Sequence, residues 1–334
     1  MTIKDLAAQT GYSVGTVSRV LNNQPHVSEQ AREAILRAAR ESGFQLNSNA
    51  KQLKQQHSNN ILVICKGKSN ELFDSLLVAL QARMAKGSYP LTVDYIDESE
   101  NEVRRAVQLC LEKKPLAVLF LGGNQTHFLS DFRHISQPCV VVTNSAKDLP
   151  FSNLSSVSAD DALAAQMAVE HLIELGHKDI VILGGHRHYS DTTALRYEGC
   201  LRAFRKYSLP FDEERDYENS RFSYEESYRA AKALLERNPR LTALFAMSDV
   251  MAIGAIRALK DAGKRVPEDV SVVGFDGLVI GEYTLPRLTT IRQDVEAMAG
   301  CSLELLRRSI EEGTGAKHEV IPVTLLERES TRAI

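Results

Sequence analysis

The chain contains no tryptophan, only five cysteines in 334 residues, and no apolar run approaching the roughly 20 residues that a bilayer-spanning helix requires. Each shortage excludes something. Without tryptophan, any aromatic stacking platform must be built from Phe or Tyr. Cys65, Cys110, Cys139, Cys200 and Cys301 lie far apart and form no CxxC pair, so thiol-redox and zinc-ribbon chemistry give way to reduced, core-filling thiols. The polar start carries no secretory signal, and no membrane partner is expected; the expected compartment is the cytoplasm of a prokaryote-like cell. There is no G-x-S-x-G, no P-loop and no cluster of metal ligands. Gly184-Gly185 is no GxGxxG, and His186-Arg187-His188 suggests no third ligand, so those residues are expected at a surface or pocket rim. No enzyme activity, cofactor or metal is expected. At 43% hydrophobic and 25% charged, the composition is that of an ordinary globular protein of two or three domains.

What the chain does have is a patterned head. TIKDLAAQTGYSVGTVSRVLN, residues 2–22, reads as two short helices and a tight turn. Thr2 and Asp5 have capping-box spacing, Gly11 supplies the turn, and Ser13 is placed to cap the second helix. Leu6, Ala7, Val17 and Val20 are the expected contacts between the helices. Ser28 opens a third helix, running to about Ser42 with Gly43 as its stop. This is a helix-turn-helix layout, whose second helix enters the DNA major groove. The first 58 residues hold seven Lys/Arg and four Asp/Glu, net +3, which leaves −6 for the rest of a chain whose total is −3. A basic head on an acidic body suits phosphate binding by the head alone. Residues 46–60 are polar, yet Asn49 to Lys54 contains good helix formers and one isolated leucine. Leu53 is placed to wedge into a minor-groove base step if two copies pair on DNA.

From residue 61 the pattern changes. Apolar runs at 61–65, 91–96, 116–123, 139–143, 180–185, 241–247 and 270–276 alternate with helical periodicity. Alternating β and α elements imply doubly wound parallel sheets, and two such series imply two lobes with a cleft at the carboxyl ends of the strands.

The head, the hinge segment NAKQLK and the body motifs HLIELGHKDIVILGG, ALFAMSDVMAIGAIRAL, VPEDVSVVGFDG and PRLTTIRQD together resemble the LacI/GalR family of bacterial transcriptional repressors. The resemblance implies an N-terminal all-α helix-turn-helix head plus an α/β two-lobed, periplasmic-binding-protein-like body. The expected boundaries are 1–45 for the head, 46–60 for the hinge, 61–157 with 289–319 for the first lobe, and 158–288 with 320–334 for the second. It also implies a repressor of a sugar-utilisation operon that binds pseudo-palindromic operator DNA as a homodimer and is switched by a small-molecule effector. The expected effector is a sugar; a purine-type or phosphorylated corepressor, or a protein coregulator, is the alternative.

Candidate DNA contacts are Ser13, Val14, Gly15, Thr16, Ser18, Arg19, Asn22 and Leu53. Val14 and Gly15 hold the positions that choose the operator in the family, and here they offer apolar contact without hydrogen bonds. Arg19 can grip guanine O6 and N7. Leu46 stands where the family commonly has Pro. Candidate effector contacts are Ser69, Asn70, Phe73, Thr143, Asn144, Tyr189, Arg196, Phe222, Ser248 and Asp276. Asp276 and Arg196 match family pocket residues, Phe222 matches a stacking aromatic, and Ala194 replaces the lactose-type pocket arginine. Asp160 and Asp249 are expected to cap helices, His177 to sit favourably at a helix C-terminus, and Lys66 and Lys68 to lie near the cleft.

Overall fold

The computed structural model describes residues 3–21, 25, 27–42, 59–67, 70–84 and 89–334. The chain divides into two compact units, residues 1–58 and 59–334. The expected roles of Thr2, Asn22, Gly43, Leu53, Lys68, Ser69 and most of the 46–60 hinge lie outside the described residues.

In the first unit, α1 (Ile3–Thr10), α2 (Val14–Leu21) and α3 (Glu29–Glu41) enclose Leu6, Ala7, Val17, Val20 and Ile35. Gly11 joins α1 to α2 at φ +74°, its amide closing on the Ala7 carbonyl at 3.0 Å. A side chain there would meet no atom within 4 Å, so conformation and not space calls for glycine. Ser13 caps α2 through the Thr16 amide at 3.1 Å, and Ser28 caps α3 through the Ala31 amide at 3.4 Å.

The second unit holds two six-stranded sheets. The first contains β1 (Ile61–Lys66), β2 (Leu91–Ile96), β3 (Ala117–Leu121), β4 (Cys139–Val142), β5 (Leu154–Ser158) and β11 (His318–Val320). The second contains β6 (Ile180–Gly184), β7 (Tyr217–Asn219), β8 (Ala243–Ala246), β9 (Ser271–Asp276), β10 (Thr289–Gln293) and β12 (Val323–Leu326). Their orders are β2-β1-β3-β4-β5-β11 and β7-β6-β8-β9-β10-β12, all parallel except the β10–β12 pair. Strands such as ILVIC and AVLFL are apolar throughout because helices cover both faces. Those of the first lobe are α4 (Glu71–Met84), α5 (Glu102–Lys113), α6 (Gln125–Asp131) and α12 (Val295–Glu311). The second lobe carries α7 (Asp161–Glu174), α8 (Asp191–Lys206), α9 (Glu213–Asp216), α10 (Tyr224–Arg237) and α11 (Asp249–Asp261). Among the described residues no helix is long and apolar enough to cross a membrane.

Three passages join the lobes, and the second departs from the expected boundary. Residues 289–293 were assigned to the first lobe, but Thr289–Arg292 pair in parallel with Val273–Asp276 in the second sheet. The chain therefore crosses at Asp294, whose side chain caps α12 through the Ala297 amide at 2.9 Å. The third passage lies between β11 and β12, at residues 321–322. Asp160 caps α7, as its sequence context suggested. His177 sits just past the C-terminus of α7 as expected, its amide donating to the Leu172 carbonyl at 3.2 Å, but its ring is buried and bonded to Thr242, Ser271 and the Arg332 carbonyl, and burial lowers its pKa, which favours the neutral ring over the expected positive one. It fastens the C-terminal segment to the second sheet.

Helices α7 and α8 pack with no room at their contact. A Cβ on Gly199 would stand 2.1 Å from the Ala162 carbonyl oxygen. Gly199→Ala is expected to lower stability by at least 1–3 kcal/mol, the usual cost of overpacking, and thermal unfolding of the pure protein measures it.

Candidate functional site

Two regions carry chemistry. In the head, Val17 and Val20 turn into the core, so the opposite face of α2 is presented outward: Val14, Gly15 and Arg19 are exposed, Thr16 and Ser18 half-buried. Ser13 also bonds the Thr16 hydroxyl at 2.9 Å, so both side chains take part in starting the helix as well as standing at its exposed end.

In the body, the carboxyl ends of strands from both sheets converge on one cavity of about 370 Å³. From the first lobe come Lys66 at the end of β1, Asp97 and Glu98 after β2, Gly122 and Gly123 after β3, and Thr143 and Asn144 after β4. From the second come His186 after β6, Ser220 to Phe222 after β7, and Asp276 at the end of β9. Ligands in open parallel sheets bind at such ends. Thr143 (φ 77°) and Asp276 (φ 113°) both hold positive φ, one at the cleft end of each sheet. Strained backbone of this kind concentrates at ligand sites.

Arg196 organises the second-lobe wall. It is 4% exposed, and its guanidinium donates to Asp161 at 2.7 Å and to the Met247 carbonyl at 2.5 Å. It stacks 3.7 Å over Phe275 and lies 3.9 Å from Asp276. Asp276 accepts from the Gln293 amide at 2.9 Å. Burial drives its carboxyl up to about 7, against the opposing pull of Arg196 and Gln293. In the first lobe, Glu102 is fully buried and accepts from Lys66 at 2.5 Å, from the Asn124 amide at 2.7 Å and pairs with His127 at 2.8 Å. Burial would raise it, but His127 and Lys66 together hold it below the usual carboxylate range.

Contacts cross the cleft as well. The Gln125 amide donates to Asp191 at 2.6 Å, Arg221 reaches Glu98 at 3.1 Å, and the Tyr224 hydroxyl bonds Glu71. Arg187, paired with Glu213 and lying 4.1 Å over the Tyr197 ring, anchors the 186–190 loop at the rim.

Of the residues singled out from sequence, Asn70, Phe73, Thr143, Asn144, Tyr189, Arg196, Phe222 and Asp276 all line this cavity. Ser248 does not. It is 2% exposed and caps α11 by accepting from the Met251 amide at 3.2 Å, so helix initiation takes the hydroxyl that had been expected in the pocket. The expected cap, Asp249, turns away instead: its carboxylate accepts from the Leu278 amide and the Thr290 hydroxyl, both at 2.6 Å, and braces the loop after Asp276. Sequence reasoning missed Asp97, Glu98, Glu225, Glu226 and Arg221. The end of the 91–96 run signalled the first two, while β7, only three residues long, left no period to find.

Comparison with known proteins agrees with both regions. Residues 2–47 match the model for bacterial regulatory proteins of the lacI family, and residues 169–331 match a periplasmic binding protein-like domain. The transcriptional regulator MalR of Clostridium butyricum is 34% identical over 99% of both chains. The chain belongs to the LacI family of bacterial regulatory proteins.

This LacI-family protein is a transcriptional regulator and not an enzyme. It is also similar to a lac repressor dimer bound to operator and an anti-inducer, with 25% identity, TM-score 0.81 and 100% and 99% of the two chains covered. The cellobiose complex of the regulator CelR is another structural neighbour, at 26% identity, TM-score 0.72 and 99% of each chain. In the regulator, the raised Asp276 pKa means that between about pH 4 and 7 the folded state holds a proton that the unfolded state has released. The contribution of Asp276 to stability therefore falls as pH rises through that window. Asp276→Asn, which keeps an acceptor for Gln293, is expected to flatten this slope and raise the melting temperature above pH 7. Unfolding temperatures recorded from pH 4.5 to 8 check it.

Proposed function

We propose that this regulator represses a sugar-utilisation operon from the cytoplasm, and that a sugar held between its lobes is the switch. The observation that carries this reading is a cavity onto which strand ends of both lobes converge. Phe73 and Phe222 offer apolar faces to sugar C–H surfaces, while Asp276, Asn144 and Thr143 offer hydroxyl partners. A ligand that touches both walls binds one interlobe angle better than another, which is the differential affinity that a switch requires. The CelR structure with cellobiose and the operator-bound lac repressor dimer support carrying sugar binding, dimerisation and operator binding over to this chain.

In this reading a homodimer presents two heads to the half-sites of a pseudo-palindromic operator. Val14 meets a thymine methyl, Gly15 leaves space, and Arg19 takes a guanine. Ser13, Thr16, Ser18 and Asn22 contact phosphates or base edges, and Leu53 wedges the minor groove when paired hinges fold. Ligand and DNA change each other's affinity by the same factor.

A thermal-shift screen against sugars, sugar phosphates and purines, with each hit retested for operator affinity, tests the proposal. A sugar that raises the melting temperature and alters DNA binding is the expected result. A purine that does so alone, or a protein required for operator binding, would replace the sugar with that effector. Arg19→Met is expected to reduce discrimination between operator and random DNA by about 1–3 kcal/mol while leaving sugar binding intact, measured by fluorescence anisotropy at fixed salt.

A further inference from the structure

We infer that the interlobe cleft takes an uncharged, polyhydroxylated ligand and excludes sugars that carry phosphate or carboxylate groups. The inference rests on the cleft being the effector site and adds the charge of what it accepts. Lys66 and Lys68 made a phosphorylated sugar thinkable from sequence, but Lys66 is committed. Its ammonium lies 2.5 Å from Glu102, a carboxylate with no exposed surface. Arg196 is committed in the same way, to Asp161 at 2.7 Å and the Met247 carbonyl at 2.5 Å. Arg221 reaches across the cleft to Glu98 at 3.1 Å. These are the lysine and arginine residues among the described residues that line the cavity, and each already faces a carboxylate.

An anion that drew Lys66 or Arg196 toward itself would leave a buried carboxylate without its counter-charge, which is among the costliest changes that a protein interior can undergo. The lining carboxylates also outnumber the lining cations. Asp97 shares Arg221 with Glu98, Glu225 and Glu226 share Arg229, and Asp276 stands 3.9 Å from an arginine engaged elsewhere. Burial already raises the pKa values of Glu98 and Asp276, so further negative charge nearby would have to displace charge that is costly to hold. The same groups suit neutral hydroxyls, because a carboxylate offers each O–H an acceptor without needing a counter-ion from the ligand.

Two measurements on the full chain test this separately from the sugar assignment. In the first, matched ligands (glucose against glucose 6-phosphate and glucuronate, ribose against ribose 5-phosphate, and cellobiose) are titrated calorimetrically. The expected result is that any bound neutral sugar loses at least ten-fold in affinity in its anionic form. An anionic sugar that binds as tightly as its neutral counterpart overturns the inference.

The second measurement needs no effector. A thiol is placed at the cleft rim by Tyr189→Cys, and its modification by a trimethylammonium and by a sulfonate methanethiosulfonate reagent is timed, after subtracting the rate of the unsubstituted chain. The cationic reagent is expected to gain at least ten-fold over the sulfonate relative to free cysteine. That preference is expected to shrink with added salt and with Glu225→Gln/Glu226→Gln. Equal rates, or a faster sulfonate, overturn the charge argument. Cationic preference with no sugar bound would retain the charge argument and remove the sugar reading.

Discussion

One buried guanidinium orders the second lobe's side of the cleft. Arg196, on α8, reaches Asp161 at the start of α7, the Met247 carbonyl after β8 and the neighbourhood of Asp276 at the end of β9, while its flat face lies on Phe275. Four separate stretches of chain therefore meet at one guanidinium. A charge so deep must be matched in place, because removing one member of a buried ion pair costs about 3–5 kcal/mol. The first lobe solves the same problem with opposite sign: Glu102 is the buried charge, and Lys66, His127 and the Asn124 amide gather round it. Each wall has its own internal charge balance, and the lobes meet through polar contacts across the cleft and through Val250 and Leu278, which are buried among first-lobe core residues.

That division leaves each lobe braced independently of the other. Within each lobe the sheet is covered on both faces and the buried ion pairs are closed internally. Between lobes lie the Arg221–Glu98 pair, with Arg221 about half exposed, the Tyr224–Glu71 bond and the Asp191–Gln125 bond. An exposed ion pair such as Arg221–Glu98 is worth no more than about 1 kcal/mol, so a ligand contacting both walls can compete with it. The passage at Asp294 sits one residue beyond Gln293, which holds Asp276. The residue that holds Asp276 and the passage between the lobes are thus neighbours in the chain.

Much of the fold was legible because its determinants are local. Alternating apolar runs and helical periods identify a doubly wound body, and Gly11, Ser13 and Ser28 mark the head's turn and caps by backbone conformation and hydrogen bonding alone. Thr143, Asn144 and Asp276 could be named because strand ends in parallel sheets point to the ligand side, while Asn70, Phe73, Arg196 and Phe222 came from the family resemblance and Tyr189 from the need for a stacking ring in a chain without tryptophan. The failures are equally physical. Ser248 took the cap expected of Asp249 because a Ser and an Asp at adjacent helix-start positions are both good caps, and only the approach of Thr290 and the 277–278 loop shows that the carboxylate is needed elsewhere. Residues 289–293 read as one extended piece on either side of a lobe boundary, and their pairing with β9 cannot be inferred from five residues of moderate β character.

The amino-acid sequence by itself determined the helix-turn-helix head, the two-lobed α/β body and the family, since these follow from periodicity, turn chemistry and motif order. The tertiary structure alone decided which cations are still available. Lys66 and Arg196 look like free positive groups in the sequence, and their carboxylate partners lie 36 and 35 residues away. The charge that a ligand meets is a sum over groups brought together by folding, so the same lysine that suggested a phosphate from sequence excludes one in the folded cleft.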